Sequence, residues 1–182
     1  MIRGAKTGLR ARTEADVAVL HRELYEDVVH RTRVDDRPWQ PIAADSGHSV
    51  FAVSEPSESA APFSVVELAS DELAGSAAVW GIDTHNRSAH LGMSLRPAFR
   101  GRGLGTDLVR ALCEYGFAAR GLRRLQVETL AGNAPMIGAA RSAGFTVEGT
   151  LRRAAWVYGG FADVVVLGLL AEEWADADGK AP

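Results

Sequence analysis

Seven consecutive residues, Arg100-Gly101-Arg102-Gly103-Leu104-Gly105-Thr106, carry the clearest chemical signal in this chain. They follow the apolar run Leu91-Gly92-Met93-Ser94-Leu95 and open a helical pattern that lasts to about Arg120. A strand running into a glycine-rich turn that becomes a helix start is an anion cradle. The first-turn N–H groups have no intrahelical acceptor, and the dipole there favours negative charge. Glycines let that backbone close on a phosphate with no Cβ in the way. Arg100 and Arg102 add charge-assisted donors at the mouth. The loop is not of the Walker type, because no Gly-Lys-Ser/Thr follows. Nor is it the dinucleotide fingerprint, because the glycines fall at 101, 103 and 105 with Thr106 next. A tight turn with solvated arginines would have the same composition, so the rest of the chain has to decide.

The surrounding composition suits a small polyanion. The 182 residues carry a net charge of −3, which argues against nucleic acid as a partner, yet Arg96 to Arg124 holds seven basic residues against Asp107 and Glu114. Hydrophobic content of 47% and charged content of 24% are ordinary for one globular domain, here with a core of about 8–174 and a polar tail at 175–182. The single cysteine, Cys113, forbids an intrachain disulfide and fits a reducing, cytoplasmic setting; its place in the helical pattern suits a packed thiol. No apolar run approaches the ~20 residues of a membrane span, and no signal-peptide core follows Met1. Five histidines, at 21, 30, 48, 85 and 90, form no recognisable metal set, so no metal is expected.

The elements that must hold the loop can be read in order. Leu9–Arg12 is a short strand. Thr13 starts a helix with Asp16 three residues on as an approximate capping box, and Val17, Leu20, Leu24 and Val28 form its apolar face. Residues 31–49 are irregular, with Trp39 between Pro38 and Pro41, and residues 54–62 read as a surface loop. Ser64–Ala69, Leu73–Ile82 and His90–Leu95 are three adjacent antiparallel strands, the last entering the loop. Leu108, Ala111, Leu112 and Tyr115 give the next helix its buried face, and Gly121 ends it. Leu125–Leu130 is a strand placed for a parallel crossover beside the His90 strand. Asn133 caps a helix with Pro135 in its first turn, and Gly144 closes it. A hairpin of about Thr146–Tyr158 and Phe161–Ala171 turns at Gly159-Gly160.

The loop, as Arg100-x-x-Gly103-x-Gly105, resembles the pyrophosphate loop of the GCN5-related N-acetyltransferases (GNAT), and the order of elements resembles that family's fold over roughly residues 8–174. The second half, with Asn133, Ala143-Gly144-Phe145, Glu148-Gly149-Thr150-Leu151-Arg152 and Gly160-Phe161-Ala162-Asp163-Val164 through Glu173-Trp174, is similar to the ribosomal-protein N-acetyltransferase branch, which acts on α-amino groups. The resemblance implies an α/β (α+β) fold. Its mixed, mostly antiparallel sheet would be splayed at the strand before the loop, with helices on both faces. It implies acetyl-CoA as co-substrate, its diphosphate on the backbone of Arg100, Gly101, Arg102, Gly103, Leu104, Gly105 and Thr106. The pantetheine arm would then pair with the splayed strand, and N–H groups near Met93, Ser94 and Leu95 would face the thioester oxygen. Asn133 would contact the cofactor, act as a helix cap, or do both.

The chemistry so implied is attack of an amine on a thioester, which needs positioning, an oxyanion site and a proton acceptor. A free α-amine of pKa about 8 is about one-tenth neutral at pH 7, whereas deprotonating a lysine costs roughly 4–5 kcal/mol. Glu128, five residues before Asn133 where α-amine-acetylating relatives place a glutamate, is the first candidate base. A solvated glutamate, or one paired with Arg123 or Arg124, is the alternative. His90 is second, its side-chain type titrating near 6.5, and Glu67 is weaker. Many relatives carry an acidic tyrosine seven residues after the Asn. Here that position is Ala140, and Tyr158 is a weak substitute from the hairpin. Met136 stands where some ribosomal-protein enzymes have serine. The acceptor therefore stays open between a protein α-amine and a small amine (amino acid, polyamine or antibiotic). A non-catalytic acyl-CoA sensor and an ATP-binding module are the competing classes. Monomer and homodimer are both open.

Overall fold

The computed structural model describes residues 1–34 and 38–178. Eight strands form one sheet in the order β1-β2-β3-β4-β5-β6-β8-β7. They are β1 (Ile2–Arg3), β2 (Thr7–Arg10), β3 (Ala60–Glu67), β4 (Leu73–Asp83), β5 (Ser88–Leu95), β6 (Arg124–Leu130), β7 (Thr146–Val157) and β8 (Gly160–Leu170). Among the described residues five α-helices accompany them: α1 (Glu14–Leu24), α2 (Val28–Arg31), α3 (Leu104–Cys113), α4 (Ala134–Ser142) and α5 (Ala171–Asp178). All neighbouring strands run antiparallel except β5 and β6.

The mixed sheet arises because α3 intervenes between β5 and β6 and returns the chain to the same end, as a crossover requires. Its ladder is short. Only Ser88↔Arg124, Ala89↔Leu125 and His90↔Gln126 pair, while β5 continues to Leu95 against β4 and β6 continues to Leu130 against β8. Beyond His90 and Gln126 the two strands diverge into a fork. The splay that the family resemblance implies is therefore present.

Two cores cover the two faces. On one side Leu104, Leu108, Ala111, Leu112, Ala139 and Ala140 pack on Val79, Leu91, Leu125 and Val127. On the other, Val17, Leu20, Leu24 and Tyr25 of α1 and its exit pack with Phe51 and, at their edge, Trp39. The start of α1 is fixed as its sequence suggests: Asp16 accepts from the Thr13 N–H at 2.8 Å, and also from Ser64 Oγ at 2.9 Å and Arg10 at 2.6 Å. Burial would raise the Asp16 carboxyl, but Arg10, Thr13 and Ser64 together hold it far below the ordinary range.

Several boundaries differ from the sequence reading. Strand β3 begins at Ala60, inside the segment expected as loop 54–62, because Ala60 and Ala61 pair with Trp80 and Val79. That pairing is tertiary and leaves no local signal. The helix after the loop finishes in a π-helical turn, Glu114–Ala119, where the Arg120 N–H reaches the Tyr115 carbonyl. The expected polar tail from 175 continues α5 to Asp178, anchored by Trp174 against Phe117; residues 179–182 lie outside the described residues, as do 35–37 of the irregular segment 31–49. Cys113 is buried, as expected of a packed thiol. No helix among the described residues is long and apolar enough to cross a membrane, and no group of three metal-type side chains gathers among them.

Candidate active site

The loop between β5 and α3 has the open backbone that its glycines suggest. Gly101 and Gly103 sit at φ +72° and +74°, left-handed values that glycine reaches at little cost. Among the described residues the N–H groups of Gly101 and Gly103 meet no main-chain acceptor, and α3 begins at Leu104, whose first turn supplies further N–H groups without helical partners. A Cβ at Gly101 would meet nothing within 4 Å, and one at Gly105 would face Met93 Cε and Ala139 Cβ at 3.8 and 3.6 Å. Thr106 follows within that first turn. The fit to a diphosphate is thus a fit of main-chain donors.

The arginines do something other than expected. Arg102 pairs with the buried Glu67 at 2.7 Å and lies over the Phe99 ring. Arg100 donates to the Leu95 carbonyl at 2.9 Å and meets His30 Nε2 at 3.1 Å. Burial and the adjacent Arg100 push His30 down, keeping the imidazole neutral so that Nε2 can accept from that guanidinium. The apparent basic cluster of 96–124 is largely answered by distant acids. Arg96 pairs with Glu23, Arg102 with Glu67, Arg120 with Glu58, Arg123 with Glu172 and Arg124 with Glu148. Charge counted along the sequence overstates the free positive charge at the loop.

One acid within that cluster holds the loop in place. Asp107, in the first turn of α3, accepts from the N–H groups of Ala5, Lys6 and Thr7 at 2.8, 2.9 and 2.8 Å and from Thr7 Oγ1 at 2.7 Å. It ties the helix start to the β1–β2 turn, where Gly4 leaves no room for a side chain: a Cβ there would stand 2.5 Å from Asp107 Oδ2. A shallow cavity of about 500 Å³ lies beside this junction, lined by Lys6, Glu67, Arg102 and Leu104 among others. It lies beside the loop rather than in the fork.

Strand alternation sets what the fork exposes. The Arg96 N–H bonds Ala74 of β4, whereas the Leu95 carbonyl is met by Arg100 from the other side. Alternation then turns the backbone groups of Leu95, Met93 and Leu91 toward the gap and those of Ser94 toward β4. Met93 and Leu95 therefore present the main-chain groups expected to face a ligand, and Ser94 does not.

Across the sheet, register aligns Trp80, His90 and Gln126 in one row at the last rung before the fork. Glu128 is the next residue of β6 on the same face. Its Oε1 accepts from Gln126 Nε2 at 2.7 Å and lies 3.8 Å from His90 Nδ1. Gln126 is oriented by Arg124, which donates to its oxygen at 3.0 Å and pairs with Glu148. The two first-named base candidates are thus brought together. His90 Nδ1 is buried without a hydrogen-bond partner among the described residues, while the Glu128 side chain is 41% exposed at the fork. The expected alternative for Glu128, an ion pair with Arg123 or Arg124, is absent among the described residues, since those arginines engage Glu172 and Glu148.

The remaining candidates lie elsewhere. Asn133 caps α4 by accepting from the Met136 N–H at 3.3 Å and donates to Thr129 Oγ1 at 2.9 Å, so both ends of its amide serve the fold. Tyr158 is exposed at the hairpin tip with φ +30°, beyond Gly160, which itself lies six residues along β8 from the level of Glu128, about 20 Å at the strand rise. It does not join the fork. Ala140 is fully buried in the core, so α4 presents no acid from that position. Trp80, Gln126 and Asp107 were not singled out by sequence reasoning. Each acquires its place through a partner on another strand or at the far end of the chain.

Comparison with known proteins agrees with this geometry. A family model described as an acetyltransferase (GNAT) domain matches residues 6–146. An uncharacterized N-acetyltransferase, p20, of Bacillus licheniformis is 32% identical over 113 residues, covering 62% of this chain and 64% of that protein. A putative ribosomal N-acetyltransferase, YdaF, of Bacillus subtilis is 31% identical over 102 residues, 56% of each. The chain's match therefore spans less than two thirds of these curated relatives. Among solved structures, spermidine N-acetyltransferase from Vibrio cholerae, in complex with CoA and spermine, superposes with a TM-score of 0.83 at 19% identity, over 93% of this chain and 98% of that one. RimL, a ribosomal L7/L12 α-N-protein acetyltransferase in complex with coenzyme A, gives 0.75 at 22% identity, over 93% and 96%. With the loop, the fork and the strand order in agreement, the chain belongs to the GNAT acetyltransferase family.

Proposed function

We propose that this protein is an acetyl-CoA-dependent N-acetyltransferase whose acceptor is a primary amine carrying a single positive charge, a protein α-amino terminus before a polyamine. The observation that carries this reading is Glu128, which stands at the fork with no basic partner other than His90 among the described residues. Glu148, on β7 two strands away, is committed to Arg124. A polyamine bears several ammonium groups and needs several uncommitted carboxylates; one carboxylate suits one amine. Both chemistries occur among the structural neighbours, and the charge count among the described residues of the fork is what favours the single amine.

In this mechanism acetyl-CoA supplies a thioester whose acyl carbon the amine attacks. The chain's part is to bind, aim and move a proton. Main-chain N–H groups of 101–105 hold the diphosphate, and the open backbone of Met93 and Leu95 pairs with the arm. A backbone N–H there stabilises the developing oxyanion. Glu128 attracts the ammonium and takes its proton, directly or through water, with His90 Nδ1 behind it to share that proton. The α-amine asks little of this base, because about one-tenth of it is neutral at pH 7. With Ala140 buried, water protonates the departing thiolate.

Thiol release measured with acetyl-CoA and an amine panel tests the reading: a peptide with a free α-amine and blocked lysines, a peptide acetylated at its N-terminus with free lysine, and spermidine. The α-amine peptide is expected to turn over fastest, and Glu128→Gln to lower kcat/KM by about 10²–10³-fold. Spermidine outpacing every peptide would overturn the acceptor. Tight acetyl-CoA binding with no release for any amine would replace the enzyme by a sensor.

A further inference from the structure

We infer that Trp80 is a positioning residue for this reaction: it holds the His90 imidazole against Glu128. The inference rests on the assignment of Glu128 and His90 as the proton-handling pair. Trp80 lies on β4, directly opposite His90, and the two rings stack with centroids 4.5 Å apart and planes 20° from parallel. The indole is 47% exposed, an unusual position for so large an apolar side chain on a strand whose neighbours Ala77 and Val79 are buried. Burial does not explain why the ring is there. Its contacts do.

The backbone is shaped around this pair. Gly92, on the same face of β5, has no side chain, and a Cβ there would touch Trp80 Nε1 at 3.4 Å. Gly81 sits at φ +60° in the irregular stretch of β4 between Trp80 and Asp83, and a Cβ there would press on His90 Cδ2 at 3.2 Å. One glycine therefore makes a bed for the indole and the other clears the edge of the imidazole. The imidazole is left with its Nδ1 turned to Glu128 at 3.8 Å, beyond direct hydrogen-bond distance but within reach of an ion pair. On the opposite flank, Arg124 orients Gln126 and Gln126 holds Glu128 Oε1. The carboxylate is thus fixed through Gln126 and faces an imidazole fixed by Trp80. No polar atom of Trp80 takes part. Its contribution is the ring plane that it imposes on His90.

The test is a cycle of Trp80→Ala, Trp80→Phe, His90→Asn and the double variant Trp80→Ala/His90→Asn. Acetyl-CoA binding by calorimetry, kcat and KM for the amine, and the ring-current shift of the His90 imidazole protons by NMR are measured for each. Trp80→Phe keeps an aromatic face and is expected to remain within about two-fold of the wild-type kcat. Trp80→Ala is expected to lower kcat about five- to ten-fold with acetyl-CoA affinity unchanged, and to move the His90 ring signals downfield. In the His90→Asn background it should have no further effect, since residues acting through one another are non-additive. A Trp80→Ala enzyme with wild-type kcat, or an equal loss in the His90→Asn background, would overturn the assignment. Should the wild-type protein acetylate no amine, the enzymatic reading fails instead. The contact between the His90 ring and the Glu128 side chain, read as their nuclear Overhauser effect, then decides whether Trp80 holds the imidazole: its persistence in Trp80→Ala overturns the assignment, and its loss there with retention in Trp80→Phe upholds it.

Discussion

Replacing Asp107 with asparagine removes the charge from the junction between the start of α3 and the β1–β2 turn, and its effect can be worked out from the contacts. Oδ2 accepts from the Lys6 and Thr7 N–H groups and from Thr7 Oγ1; Oδ1 accepts from the Ala5 N–H. An asparagine keeps one oxygen for the three-donor side, where three charge-assisted bonds become neutral ones at a loss of about 0.5–1 kcal/mol each. Its amide nitrogen then faces the Ala5 N–H, donor against donor, adding roughly 1 kcal/mol at this partly exposed position. The expected destabilisation is about 3 kcal/mol, or about 6–12 °C in Tm for a chain of this size. Urea unfolding followed by circular dichroism measures it. The pH dependence supplies a second check. Burial alone would raise the Asp107 carboxyl, but the donors of Thr7, Lys6 and Ala5 outweigh it and hold the group below its ordinary value. A carboxyl depressed by folding contributes fully above its unfolded pKa of about 4 and loses that contribution as pH falls through the folded value. The gap between wild type and Asp107→Asn should thus be constant from about pH 5 to 8 and close below about pH 4. A variant within 0.5 kcal/mol of wild type (roughly the scatter of neutral surface changes) would refute the clasp.

Three further outcomes follow from the same geometry. Gly103→Ala places a Cβ on a residue at φ +74°, so it should lower stability by about 1–2 kcal/mol and weaken coenzyme A binding by calorimetry. Gly4→Ala drives a Cβ onto Asp107 Oδ2 and should reproduce most of the Asp107→Asn loss, with the two changes together costing less than their sum. His30, neutral by burial and by Arg100, resists protonation, so the folded state binds fewer protons than the unfolded one between its lowered value and about 6.5. Stability should decline as pH drops through that window, and His30→Gln should flatten the decline in urea titrations at pH 7 and 5.5.

How much of this was visible in the amino acids depends on where each signal's partner lies. The glycine loop, the Thr13–Asp16 cap and the Asn133 cap are local devices, their partners within a few residues, and all three appear where the sequence places them. The fork was legible only through family resemblance, because nothing in Leu91–Leu95 says where pairing with Leu125–Leu130 stops. Asp107 was counted as a stray acid in a basic run, since its donors lie about a hundred residues earlier. The basic run itself was misread for the same reason, each arginine's acid coming from another element. Trp80 gave no local cue, because its meaning comes from the residue opposite it on the neighbouring strand.

The three-rung ladder between β5 and β6 also makes the molecule two half-sheets sewn together at one end. Folding leaves the other end of the seam unstitched, its main-chain donors and acceptors waiting for an amide-bearing chain from outside. A pantetheine arm lying there would serve as a borrowed strand, and whatever holds the arm would also hold the halves. Saturating ligand at 100 times its Kd would add about 2.7 kcal/mol, concentrated along that seam.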